Sequence, residues 1–353
     1  MWVAVAVLMG CSSVDPAAVA IDQVSDATAT TPPTSETTTT HSSTTIAPTT
    51  TVAPPLDADG VARALVTETD IVVPVLATVD EGFVVRTPCQ ELALVTAGEP
   101  LDRVHVVLDP GHGGSEPGAV GSNGRTEASI NLRVAEIAQA KLRSRGFAVL
   151  LTRTSDTRVP ILTRVEIADN LGADVLVSIH HQGGGELPIG PVPGTEVYYQ
   201  QESDDSRRLA GLLREEAIEE LTPFDAGGWF AGPDAGATYR PDAETGEDFY
   251  GMVRRPRTTA VLAEMSFLGN PIELELLGTR QFLVAEAQAI SDAVARWFST
   301  DDAGSGFAEP SFSLTSSGGG GGLGGCEDPD LGAVGEIPVD FDRASVGGVD
   351  DSG

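Results

Sequence analysis

Val104-His105-Val106-Val107-Leu108-Asp109-Pro110-Gly111-His112-Gly113-Gly114 is an apolar run of strand length stopped by Pro-Gly. It reads as a buried strand that empties into a glycine-rich loop. Working outward, Ser129 to Arg145 carries apolar residues at Ile130, Val134, Ile137, Ala138 and Leu142, close to the helical period, and ends on basic residues before Gly146. Ala148 to Thr152, Asp174 to Ile179, Gly194 to Tyr199 and Thr259 to Met265 read as further strands. Arg164 to Leu171, Asp204 to Leu221 and Thr279 to Phe298 read as helices. This alternation predicts an α/β fold: a single twisted, mostly parallel sheet with helices on both faces and disordered N- and C-terminal segments. Its site should lie at the carboxyl ends of the strands.

Four residues fall at such ends or at a helix start: His112, Glu127, His180 and Glu264. Two histidines and a carboxylate are a common catalytic zinc set, since three protein ligands leave one position open for water. The remaining glutamate would be the base. Each has a plainer reading. Gly111 and Gly113 begin a G-x-G-x-x-G pattern, but Glu116 stands at its third glycine and no helix opens directly behind the loop, so a dinucleotide site is excluded. Glu127 would be favoured at a helix start by the helix dipole alone. His180 and His181 are adjacent in a strand and must point to opposite faces; periodicity does not say which one joins His112. His105, mid-strand, reads as a packed histidine. Glu264 ends the run Ala260-Val261-Leu262-Ala263, where a carboxylate is costly unless compensated. A salt bridge to Arg254, Arg255 or Arg257 is its plain alternative.

The 353 residues leave room for one domain of about 200 residues plus appendages. A net charge of −31, from 52 acidic and 21 basic residues, argues against nucleic acid or anionic lipid as a non-specific partner. Residues 1–10 read as a lipoprotein-like signal peptide that runs into Cys11 through Leu8-Met9-Gly10-Cys11; the positive n-region is missing, so either the true start lies upstream or the resemblance is accidental. Cys11 would carry lipid; a plain signal peptide is the alternative. Residues 11–55 are a Ser/Thr/Pro-rich tether, and 56–100 a short β-rich segment of two or three strands. Residues 101–300 form the catalytic domain, and 301–353 a Gly-rich, acidic, disordered tail. Cys89 and Cys326 remain as an even pair, which in an exported protein suggests a disulfide; two unpaired thiols are the alternative.

Together, Val107-Leu108-Asp109-Pro110-Gly111-His112-Gly113-Gly114, Glu127 with Asn131-Leu132, Leu151-Thr152-Arg153 with Asp156, Ser178-Ile179-His180, and Val261-Leu262-Ala263-Glu264 with Phe267-Leu268-Gly269-Asn270-Pro271 resemble the zinc-dependent N-acetylmuramoyl-L-alanine amidases. The likeness spans about Val104 to Trp297 of this chain. It implies a bacterial cell-wall hydrolase with His112, Glu127 and His180 as ligands of one Zn²⁺, choosing His180 over His181, and Glu264 as the catalytic residue. The implied reaction is hydrolysis of the bond between N-acetylmuramic acid and L-alanine by zinc-bound water, with peptidoglycan as partner. The signal-like start and the cysteine count point to an exported, extracytoplasmic protein, lipid-anchored to the outer face of the cell membrane or held in the cell envelope, with membrane contact only through lipid on Cys11. The chain departs from the family after His180, where His181, Gln182 and three glycines stand. It departs again over Ala226 to Arg257, which reads as a peptide-binding wall, a lid or a surface loop. Two alternatives remain: a non-catalytic wall-binding or regulatory lipoprotein, and a zinc hydrolase of another amide.

Overall fold

The computed structural model describes residues 53–183, 194–227, 236–310 and 321–346. The signal-like segment, Cys11, residues 11–52 of the tether, and Trp229 and Phe230 of the long loop lie outside the described residues.

The fold is α/β, but the expectation of a single sheet is corrected: the described residues form two six-stranded sheets. The first is antiparallel and begins with β1 (Ala64–Thr67), β2 (Val72–Val79), β3 (Gly82–Arg86), β4 (Leu92–Val95) and β5 (Gly98–Leu101). Short apolar runs separated by turn residues form a meander of this kind, with more strands than the two or three expected. The pleat sends Leu65, Val73, Val75, Val85 and Val95 into a core of their own. Ala64 and Val72 face the other way, toward the second layer.

The second sheet contains β6 (Val106–Pro110), β7 (Val149–Leu151), β8 (Val175–Gln182), β9 (Glu196–Tyr199), β10 (Ala237–Thr238) and β11 (Thr259–Phe267). Its order is β10-β9-β11-β8-β6-β7. β7, β6, β8 and β11 run parallel, while β9 is antiparallel to β11. Its helices are α1 (Glu127–Ser144), α2 (Ile161–Asn170), α3 (Asp204–Leu221), α4 (Gly251–Arg254), α5 (Pro271–Leu276) and α6 (Arg280–Ser299). Alternation along the strands decides which face each helix covers. Val106, Leu108, Val175, Val177, Ile179, Val261, Ala263 and Met265 point into one apolar layer with residues of α1, α3 and α6. Val107, Leu176, Ala260 and Leu262 point the opposite way, against α2, α4 and the first sheet. Polar side chains at the ends of these strands inherit the same two directions.

Part of the tail expected to be disordered is placed. β12 (Val334–Gly335) pairs with β4 and completes the first sheet, and Leu331 enters that sheet's core. Cys326 is joined to Cys89 by a disulfide across a sequence separation of 237. Among the described residues no helix is long and apolar enough to cross a membrane.

Candidate metal and acid–base site

The β6 strand delivers His112 just past its carboxyl end, in a left-handed conformation (φ 60°) that a non-glycine residue adopts only when its surroundings enforce it. Two buried arginines supply that enforcement. Arg153 donates to the carbonyls of Pro110 (2.9 Å), Gly111 (2.9 Å) and Ala128 (2.8 Å). Arg164, on α2, donates to the carbonyls of Pro110 (2.8 Å) and His112 (2.7 Å), and to Asp109 Oδ1 (2.6 Å). Asp109 is fully buried and accepts further hydrogen bonds from Thr152 (2.6 Å) and Ser178 (2.7 Å). Burial alone would raise its pKa; the charge of Arg164 and the hydrogen bonds outweigh that and hold it below the usual carboxylate value.

Glu127 is the first residue of α1, capped by Thr126, whose hydroxyl accepts from the Ser129 amide. Its Oε2 accepts from the Ala119 amide at 2.9 Å. Its Oε1 lies 3.2 Å from His112 Nε2 and 2.9 Å from His180 Nδ1. One ligand atom from each of His112, Glu127 and His180 falls within 4.8 Å of the others. Burial would raise the Glu127 pKa, but the two histidines hold it far below the usual range. Burial lowers that of His180 despite Glu127 beside it. Glycines make room: a Cβ at Gly111 would collide with the His180 ring, and one at Gly118 with Glu127 and His112.

The choice between His180 and His181 follows from the pleat. Ile179 faces the α1/α6 layer, so His180 faces the cleft and His181 turns back into the protein. His181 is wholly buried there, 2.7 Å from Asn131 Oδ1 and 3.2 Å from Glu286 Oε2. Asn131 in turn donates to the Gly111 carbonyl (3.1 Å), so this buried polar group braces the histidine loop from behind. His105 packs as a structural histidine against Phe147 and Phe298, accepting from the Ala148 amide at 2.9 Å.

Glu264 on β11 is the register partner of His180 on β8 and therefore projects from the same face of the sheet. It is buried, and its Oε2 has no hydrogen-bond partner among the described residues. Burial raises its pKa well above the ordinary value; Glu127 and Glu196 add to this, and Arg240 partly offsets it. Two of the three arginines weighed as its partners make ion pairs elsewhere, Arg254 with Glu247 (3.9 Å) and Arg257 with Asp169 (3.3 Å). His112, Glu127, His180 and Glu264 all line one cleft of about 710 Å³, together with parts of the 242–255 segment and of the tail.

Sequence reasoning quoted Arg153 and Asn131 without a role and read Arg164 only as the start of a helix. The signal for Arg164 was weak: a charge in a mostly apolar turn, Ile161-Leu162-Thr163-Arg164-Val165.

Residues 106–296 match the family model described as N-acetylmuramoyl-L-alanine amidase. The Bacillus subtilis protein YqiI is 31% identical over 213 residues, covering 60% of this chain and 90% of that protein. The N-acetylmuramoyl-L-alanine amidase AmiA of Escherichia coli is 31% identical over 218 residues, covering 55% of this chain and 75% of AmiA. A solved N-acetylmuramoyl-L-alanine amidase from Clostridium difficile 630 aligns with 26% identity and a TM-score of 0.47, covering 56% of this chain and 98% of that one.

Proposed function

The chain belongs to the N-acetylmuramoyl-L-alanine amidase family, a peptidoglycan hydrolase family, and from that premise we propose that His112, Glu127 and His180 hold a zinc ion beside Glu264, the residue that moves the protons. The observation that carries this reading is the convergence of the three donors within 4.8 Å next to a buried carboxylate with an unpartnered oxygen. Two imidazoles and one carboxylate suit zinc and match the donor number of catalytic sites. The glycines at 111 and 118 leave the room those donors need.

When bound, zinc supplies positive charge that polarises the amide carbonyl and acidifies water toward a pKa of about 7. The chain's own residues do the rest. Glu264 is buried in the same cleft as the three donors, and its Oε2, with no hydrogen-bond partner among the described residues, is placed to take a proton. It takes a proton from the attacking water and returns it to the leaving nitrogen of L-alanine. The C–N bond between the lactyl carbonyl and that nitrogen breaks, giving a free amino terminus on the stem peptide and an intact glycan. Arg153, Arg164 and Asn131 act indirectly, holding the His112 loop so that the site is assembled before substrate arrives.

The disulfide supports an extracytoplasmic location, where such bonds persist, and lipid on Cys11 remains part of the proposal. Metal content and peptidoglycan release, measured together, test the assignment. Glu264→Ala should keep zinc and lose about 10²–10⁴-fold in rate, whereas His112→Ala should lose both. A Glu264→Ala protein of near wild-type rate would refute the role given to that residue.

A further inference from the structure

The placed part of the tail reaches the cleft. Gly321, Gly322 and Leu323 line it alongside Glu116, Ile161 and the metal-site residues. This strap is anchored at every step. The Gly321 amide donates to Glu116 Oε1 (2.6 Å), and its carbonyl accepts from the Ile161 amide (2.9 Å). The second bond satisfies a donor at the start of α2, where Pro160 offers no side-chain cap. The Arg158 guanidinium donates to the carbonyls of Gly322 (2.7 Å) and Gly324 (2.9 Å). Cys326 is then locked to Cys89, and the Cys89 amide donates to Asp328 (2.7 Å). Glu116 belongs to the turn that follows His112, where its amide and carbonyl exchange hydrogen bonds with Gly113 (3.1 and 2.8 Å). The strap is therefore joined to the loop that carries a proposed metal ligand.

We propose that Gly321 to Leu323 form the stem-peptide wall of the active-site cleft, and that the Cys89–Cys326 disulfide sets the position of that wall. The chemistry of the lining favours peptide over sugar at this place. Gly321 packs at Ile161, and Leu323, Val159 and Leu162 line the same cleft with the glycine backbone and the Glu116 carboxylate that holds it, so apolar groups and main chain that suit alanine methyls predominate there. The aromatic rings of the lining, Phe249 and Tyr250, come instead from the 242–255 segment. Gly322 is a lining residue of the cleft, and among the described residues a Cβ there would meet nothing within 4 Å. A large side chain at 322 therefore stands at the rim of the cleft without a clash at its Cβ.

This inference rests on the amidase reading, and its test separates the two. The full chain carrying Glu264→Ala, so that nothing is turned over, is titrated calorimetrically with an N-acetylmuramoyl-L-alanyl peptide, with and without Gly322→Trp. The second substitution should weaken binding about tenfold or more while leaving zinc content and melting temperature unchanged. Gly324→Trp serves as control: Gly324 also has open space around a Cβ but does not line the cleft, and binding should stay within about twofold. Reduction with dithiothreitol should weaken binding by about threefold or more, because the wall loses its anchor. Undiminished binding in Gly322→Trp, equal loss in Gly324→Trp, or equal affinity of oxidised and reduced protein would each overturn the proposal. If the unsubstituted chain releases no peptide from peptidoglycan, the amidase reading fails instead, whatever the strap does.

Discussion

Arg164→Ala removes a side chain that touches both the buried carboxylate of Asp109 and the His112 loop. In the folded protein Arg164 and Asp109 are 3% and 0% exposed, with Arg164 Nη1 2.6 Å from Asp109 Oδ1. Removing one member of such a pair costs about 3–5 kcal/mol, because the other charge stays buried without it. Thr152 and Ser178 remain on Asp109 as neutral donors and keep the loss from going higher. The carbonyls of Val159 (2.6 Å) and His112 (2.7 Å) also lose their guanidinium partner, which keeps it from going lower. Against a typical total of about 5–15 kcal/mol the change is large. With a urea dependence of about 1–3 kcal/mol per molar, the unfolding midpoint should fall by at least about 1 M, read from tryptophan fluorescence. The difference should shrink in acid. Asp109 has a depressed folded pKa, so its contribution is present above the ordinary carboxylate range and is lost as pH falls through the folded value. A loss below about 1 kcal/mol at neutral pH, or a difference that does not narrow in acid, would refute the claim that this pair organises the site.

Glu273 supplies a contribution of opposite sign. Its carboxyl is pushed up to about 8, chiefly by burial, with the Phe267 amide opposing and Glu286 adding, and its Oε1 has no hydrogen-bond partner among the described residues. A raised folded value means stability is full below the unfolded pKa of about 4.5 and is lost as pH rises toward about 8; Glu273→Gln should flatten that decline in chemical denaturation between pH 5 and 8, and an unchanged slope would contradict the assignment. Reducing the Cys89–Cys326 bond, which closes a loop of 237 residues, should lower stability by about 2–5 kcal/mol, measured by urea unfolding with and without dithiothreitol. Gly118→Ala places a methyl against Glu127 and His112 and should weaken zinc binding at least about tenfold, read by competition with a chelator; undiminished affinity would show that the donors do not converge as described.

The juxtaposition of the candidate site residues was legible because each of them sits in a local pattern. A strand ended by Pro-Gly put His112 at a carboxyl end, and the pleat guaranteed that only one of His180 and His181 could face it. Which one did not follow from periodicity, because the answer depends on which layer Ile179 faces. What stayed illegible is what depends on distant partners. Arg164 reads as an ordinary helical arginine until Asp109, 55 positions away, is seen against it. The tail is rich in glycine and acid, a solvated composition, yet Gly321 bonds to Glu116 across 205 positions and Thr69 to Asp330 across 261. The sixth strand of the first sheet was hidden for the same reason, since it comes from that tail; within residues 56–100, β5 reads Gly-Glu-Pro-Leu and carries no apolar alternation to announce it.

The most direct test of the central claim is product identity. Purified peptidoglycan is incubated with the full chain and Zn²⁺, beside Glu264→Ala, and the soluble fraction is examined by mass spectrometry. Stem peptides with a free N-terminal alanine, released by the unsubstituted protein and not by Glu264→Ala, are the predicted result. Release of sugar-bearing fragments, of peptides cut internally, or of the same peptides by both proteins would contradict it.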